Sequence, residues 1–524
     1  MSSNVVTLVC IVSLASVILV GAGLCMKKQY MDTPTIKTEL VKNIKTVEDL
    51  VKLFPTSAAQ IDAIIDFYIK NTQKEIQAII DVPANKRTFA NTAFALDRVS
   101  SFSDLPIAIN AISMLENLSP DKDIRDAAHK AIMRVGNFYV DSFSSNKKLF
   151  EAFKAYVEGN AATDDLTSEQ RYFLKENMDD FIRAGLNLPQ DTLDYVGLLK
   201  KNLSELTLAF SKNIAQDNRT IEVDIHGLKG VDPEFVGALK KADNGSYLLG
   251  TDYPTRSAIM ENCAVEDTRR RYFELCANQG YPENDTILKQ VFAKRDQVAR
   301  LLGFDSFAAL DTADQMVKNP VRAYHFLHDL IKRAEKKEAV ELDLWLADMP
   351  ESVFLDAQDR IKRWDMNYLQ NQYKKKHLSV DEEEIACYFP MKKTVKGLLD
   401  IYRQFLSIDF KEIPVTGLWH PEVTLIGVYD RENNILGYLF MDLYPRDNKY
   451  THAAHATIIP AVMGQDGARV APAVSVVMAN FPKSTASKPA LLKRQDVSTF
   501  FHEFGHALHA LCGATQMASF SGTS

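Results

Sequence analysis

The spacing of two histidines near the C-terminal end restricts this chain more than any other feature. Thr499-Phe500-Phe501-His502-Glu503-Phe504-Gly505-His506-Ala507-Leu508-His509 contains His-Glu-x-x-His. On a helix, residues four apart stand one above the other, so His502 and His506 share a face and can share one metal ion. Glu503 lies one residue round, within reach of water at that ion. The flanks favour a helix over 496–512. Asp496 reads as an N-cap, Gly513 as the residue just past the end, and Val497, Phe500, Phe504, Ala507 and Leu511 recur at core-facing intervals. His509 shares the face, but three ligands from one helix would be strained, so it reads as packing or as a group behind the ligands.

The rest of the chain is mostly helical in pattern. Ile61, Ile64, Ile65, Tyr68, Thr72, Ile76 and Ile79 keep a 3–4 rhythm that Val82-Pro83 stops. Val196 to Ile214 and Ile287 to Leu302 give two more stripes, the second closed by Gly303. His325 and His328 belong to an ordinary helix surface. Near residue 420 the period changes. Val423–Tyr429 and Ile435–Leu443 flank the polar turn Asp430–Asn434 and read as a hairpin, with Thr451–Ile459 and Val474–Ala479 as further strands. His452 and His455, three apart on a strand, face opposite sides. This gives a helical N-terminal lobe over 29–250 and a second region over 251–524, which holds a sheet at 423–480 and the His-Glu-x-x-His helix.

Composition removes several alternatives. A net charge of −7 leaves no basic footprint for nucleic acid. Six scattered cysteines without a Cys-x-x-Cys supply neither a disulfide framework nor a thiolate zinc site. Val5–Met26 carries no charge and is long enough to cross a bilayer, so residues 1–28 read as an N-terminal anchor and the chain as membrane-associated. The missing basic residues ahead of it make a cleaved signal, and hence export, the alternative. The Lys27-Lys28 pair by itself would keep the remainder on the cytoplasmic side.

These segments resemble the thimet oligopeptidase and neurolysin family of zinc metallopeptidases. The resemblance is carried by Phe-His-Glu-Phe-Gly-His at 501–506 and by Ser521-Gly522-Thr523. Upstream it is carried by Gly437–Arg446, Lys449-Tyr450, His452-Ala453-Ala454, Ala479-Asn480-Phe481, Trp364-Asp365-Met366 and Glu266-Asp267-Thr268-Arg269-Arg270. It covers roughly residues 180 to 524. It implies a mainly α, two-lobed ellipsoid with a small antiparallel sheet beside the motif helix, and a deep channel that admits short peptides to a monomeric enzyme. It also implies one Zn2+ per chain, held by His502 and His506, with Glu503 as the general base. The family's third ligand, a glutamate about 25 residues past the second histidine, falls beyond Ser524. The expectation is therefore a zinc endopeptidase truncated before its third ligand. The alternative is a catalytically incomplete peptide-binding form.

Overall fold

The computed structural model describes residues 38–464, 466–484 and 489–522. Its contacts divide the chain into two units. One comprises Leu206–Pro390 with Ser484–Arg494; the other takes the residues up to Glu205, Met391–Lys483 and everything from Gln495 on.

The Leu206–Pro390 unit opens with two short antiparallel strands, β1 (Ile221–Val223) and β2 (Tyr247–Leu249). They pack with the helices Tyr253–Asn262 and Glu266–Ala277 around Ile259, Met260, Cys263 and Tyr272. A fully buried ion pair fixes the unit's centre. Arg269 donates through Nε (2.9 Å) and Nη2 (2.6 Å) to Asp365 and through Nη1 to the Cys263 carbonyl (2.6 Å), with its guanidinium 4.2 Å from the Tyr368 ring centre. Such a cation is tolerated in a core because nearly every donor has a partner. The stripe ending at Leu302 becomes the helix Glu283–Leu301. Gly303 (φ +83°) turns the chain left-handed so that the Phe304 N–H reaches the Ala299 carbonyl at 2.9 Å. His325 and His328 sit on the helix Pro320–Leu346, which buries no residue.

Among its described residues the other unit has a helical core and a sheet packed on both faces. In the first, Ala58–Ile80 packs with Lys122–Tyr139, Lys147–Val157 and Ser168–Ala184 around Ile61, Ile65, Phe153 and Phe173. Ser57 caps the first of these helices by accepting the Gln60 N–H, and Val82-Pro83 ends it as expected. The second is a five-stranded sheet in the order β3-β4-β5-β7-β6, made of Asp409–Ile413, Thr424–Tyr429, Ile435–Asp442, Ala473–Met478 and Ala454–Ile459 respectively. The expected hairpin is β4–β5, with Asn433 at φ +64° and the Asp430 carboxylate accepting the Asn434 N–H. The sheet is mixed rather than wholly antiparallel, because β7 runs parallel to β5. All six residues of β7 are buried, as befits a strand covered on both faces. The helix Asp104–Leu118 covers one face through Ile107, Ala111 and Leu115, and Asn110 Nδ2 donates to the Ile458 carbonyl of β6 (3.4 Å).

The motif helix covers the other face. A Cβ at Gly437 in β5 would stand 2.5 Å from the Ala473 oxygen and 2.8 Å from Leu511 Cδ2, so only glycine lets the helix sit this close. Gly437→Ala is expected to cost about 1–3 kcal/mol as strand or helix gives way. The urea midpoint reads this, and an unchanged midpoint would mean that the contact yields freely.

Membrane association, expected from residues 5–26, is not borne out. Among the described residues no helix is long and apolar enough to cross a membrane, and Val5–Met26 lies outside them. Asp104–Leu118 illustrates the physical reason. Eleven of its 15 residues are buried, yet it spans about 22 Å, short of a hydrocarbon core of about 30 Å.

Candidate active site

The motif lies on the helix Arg494–Cys512, which begins two residues before the expected Asp496. Asp496 is therefore not the N-cap but a buried member of the first turn. Aromatic packing sets the helix's roll. Phe500 meets Phe481 (5.6 Å between ring centres), and Phe504 meets Phe410 of β3 (5.8 Å) and Tyr402 (5.4 Å) of the helix Met391–Leu406. With Phe500 and Phe504 in the core, the residues two further along face away from it.

This brings the two histidines together. Nε2 of His502 lies 3.1 Å from Nε2 of His506, and the rings meet at 83° with centres 4.7 Å apart. Two nitrogens each 2.0–2.1 Å from a tetrahedral zinc would stand about 3.3 Å apart, so the pair fits such an ion. Glu503 is half-buried beside them. Burial pushes its carboxyl above the ordinary range, while His502, His506 and the backbone N–H of His455 pull the other way. His509 is exposed one turn on and does not join the pair. Among the described residues no group of three or more His, Cys, Asp or Glu side chains is set to hold a metal.

Two neighbours were not expected from the sequence. His455 on the edge strand β6 lies with its ring nearly parallel to that of His506 (13°, centres 6.2 Å apart). Burial, and then His506, bring its pKa down to about 3. Tyr450 is close enough to Glu503 that its phenol is pushed up, first by burial and then by that carboxylate. The strand begins at Ala454, later than the expected Thr451, so His455 lies on it against the helix while His452 precedes it and is exposed. Single-residue spacing carries no signal for these cross-element contacts.

The segment after the helix is tied to the helical core. Met463 N–H donates to the Thr515 carbonyl (2.9 Å), Met517 is fully buried, and the buried Asp97 carboxylate accepts the N–H groups of Ala518 (3.3 Å) and Ser519 (3.2 Å). Burial raises Asp97 to about 7, against the pull of Arg98 and those N–H groups. A carboxyl with a folded pKa above its unfolded one stabilises fully below the unfolded value, near 4, and loses that contribution as pH rises through 7. Unfolding free energy should therefore fall between about pH 4 and pH 7, by an amount on the order of a few kcal/mol. Urea titrations at pH 5 and pH 8 would show this, and Asp97→Asn should flatten the difference. An equal slope in the variant would remove Asp97 as the cause.

Residues 259–524 match Peptidase family M3. The chain is 29% identical over 493 residues to the thimet-like oligopeptidase of Dictyostelium discoideum, covering 91% of this chain and 72% of that protein. It is 30% identical over 436 residues to saccharolysin of Saccharomyces cerevisiae (80% and 61%) and 28% identical over 435 residues to oligopeptidase A of Escherichia coli (79% and 62%). The chain belongs to peptidase family M3. It spans between 61% and 72% of the length of these relatives.

Proposed function

We propose that this chain carries the base and two of the metal ligands of a zinc-dependent endopeptidase acting on short peptides. The observation that carries the reading is the 3.1 Å pairing of the His502 and His506 Nε2 atoms with Glu503 beside them. Both imidazoles present Nε2, the neutral nitrogen donor that suits zinc. A zinc ion held there supplies electrophilic polarisation of a peptide carbonyl and makes nearby water more acidic. Glu503 then takes the proton of the attacking water on a carboxylate oxygen and returns it to the nitrogen of the leaving amine. The Tyr450 phenol is near enough to that carboxylate for the carboxylate's charge to raise its pKa. Strand β6, at the edge of the sheet, offers backbone groups with which an extended peptide can pair. The relatives named as oligopeptidases favour short substrates, a net charge of −7 gives nucleic acid no footing, and a monomer suffices because base and histidines share one helix.

A second reading is a form that binds peptides without cleaving them. The lack of a third metal-binding side chain among the described residues favours it. One experiment separates the two readings. The purified chain is loaded with zinc, its metal content measured, and a short fluorogenic peptide followed by binding and by cleavage. Cleavage that stops with a chelator and returns with zinc supports the first reading, and binding without cleavage supports the second. Cleavage that persists in chelator would sink the zinc mechanism.

A further inference from the structure

The imidazole of a metal-binding histidine needs a fixed direction, and its own torsions do not provide one. Rotation about the bond to the ring is broad and roughly two-fold, so neighbouring atoms must set it. At His506 one neighbour is the His502 ring, edge-on at 83°, and another is the His455 ring, nearly parallel at 13° with centres 6.2 Å apart. His455 is also close enough to Glu503 for its backbone N–H to pull that carboxyl's pKa down.

The His455 side chain is unusual in another way. Its Nε2 is buried and has no hydrogen-bond partner among the described residues. A buried polar nitrogen left unpaired costs stability, which an apolar ring of the same shape would avoid. Local departures of this kind gather beside working sites. Burial also keeps water from prising the rings apart, so the stack acts as a fixed wall.

We propose that His455 is a positioning residue: its ring holds the His506 imidazole in the direction needed for metal. The proposal rests on His502 and His506 holding zinc. It is tested on the whole chain by zinc affinity, measured in competition with a chromogenic chelator, and by the visible absorption of the Co2+-loaded protein. His455→Ala removes the ring and keeps the N–H, and should weaken zinc about 10- to 100-fold and alter the Co2+ bands. His455→Phe restores a ring and should bind zinc within about threefold of the parent, the range of a change that leaves ligand orientation intact. Urea midpoints of all three proteins check that the loss in the alanine variant is not unfolding. Unchanged affinity in His455→Ala would overturn the proposal, and so would a phenylalanine variant as weak as the alanine one. A parent chain that binds no zinc, with His502→Ala no different, would instead overturn the metal reading on which it stands.

Discussion

Replacing Glu503 with glutamine should lower peptide turnover by about a thousandfold, within the range of about 10²–10⁴ set by removal of a general base. Glutamine has nearly the same shape. It cannot take a proton from water. Helix packing, set by Phe500 and Phe504 rather than by Glu503, should be untouched. The loss should therefore fall on kcat, with zinc content and KM close to those of the parent. The measurement is steady-state cleavage of a short fluorogenic peptide by the zinc-loaded form that cleaves it. Turnover within tenfold of the parent would show that Glu503 is not the base.

Asp442→Ala is expected to cost about 3–5 kcal/mol of stability, since it strands buried cations. At the end of β5, Asp442 Oδ1 accepts from Arg446 (2.7 Å) and lies 2.8 Å from Lys449 Nζ, while Oδ2 accepts from Arg446 (2.6 Å) and from Trp419 Nε1 (2.8 Å). Burial raises the Asp442 carboxyl, but Arg446, Lys449 and Trp419 together hold it below the ordinary range. The Lys449 side chain is 0% exposed, and its ammonium also donates to the carbonyls of Asp442, Tyr444 and Ala479. These carbonyls come from the ends of β5 and β7, so the knot pins the sheet where those strands run in parallel. Without the carboxylate, a lysine and most of an arginine keep their burial and lose their counter-charge. Urea unfolding reads the effect, and a change below about 1 kcal/mol would mean that water replaces Asp442 at little cost.

Much of this arrangement was legible in the sequence because its signals are local. The spacing of His502 and His506 placed two nitrogens on one helix face, and the hairpin around Asp430–Asn434 announced itself by its polar turn. Strand β3 escaped notice because its five residues sit at the sheet edge with only Phe410 buried, leaving no run of apolar positions. The parallel pairing of β5 with β7 was equally hidden, because an alternating or apolar stretch does not say in which direction its neighbour runs. His455 could be placed on a strand but not against His506. That contact joins a strand to a helix far along the chain, and no short-range pattern encodes it. The motif helix's true start was missed by two residues because Asp496 looked like a cap and is instead buried within the first turn.

The clamp of Asp97 on Ala518 joins residues 421 positions apart. The unit that holds the histidine pair is thus sewn from the two ends of the described chain, with Leu206–Pro390 inserted between its pieces. On the ribosome, at about 5–20 residues per second, the early helices wait roughly 20–80 seconds for the segment that completes their core. The Leu206–Pro390 stretch emerges in the meantime, but its unit is complete only once Ser484–Arg494 follows, shortly before Ala518. Closing so long a loop adds little to the entropic cost at equilibrium, because that cost grows only logarithmically with length. The burden is one of time: apolar helix faces stand open during synthesis, and yield in the cell should depend on chaperone capacity more than equilibrium stability would suggest.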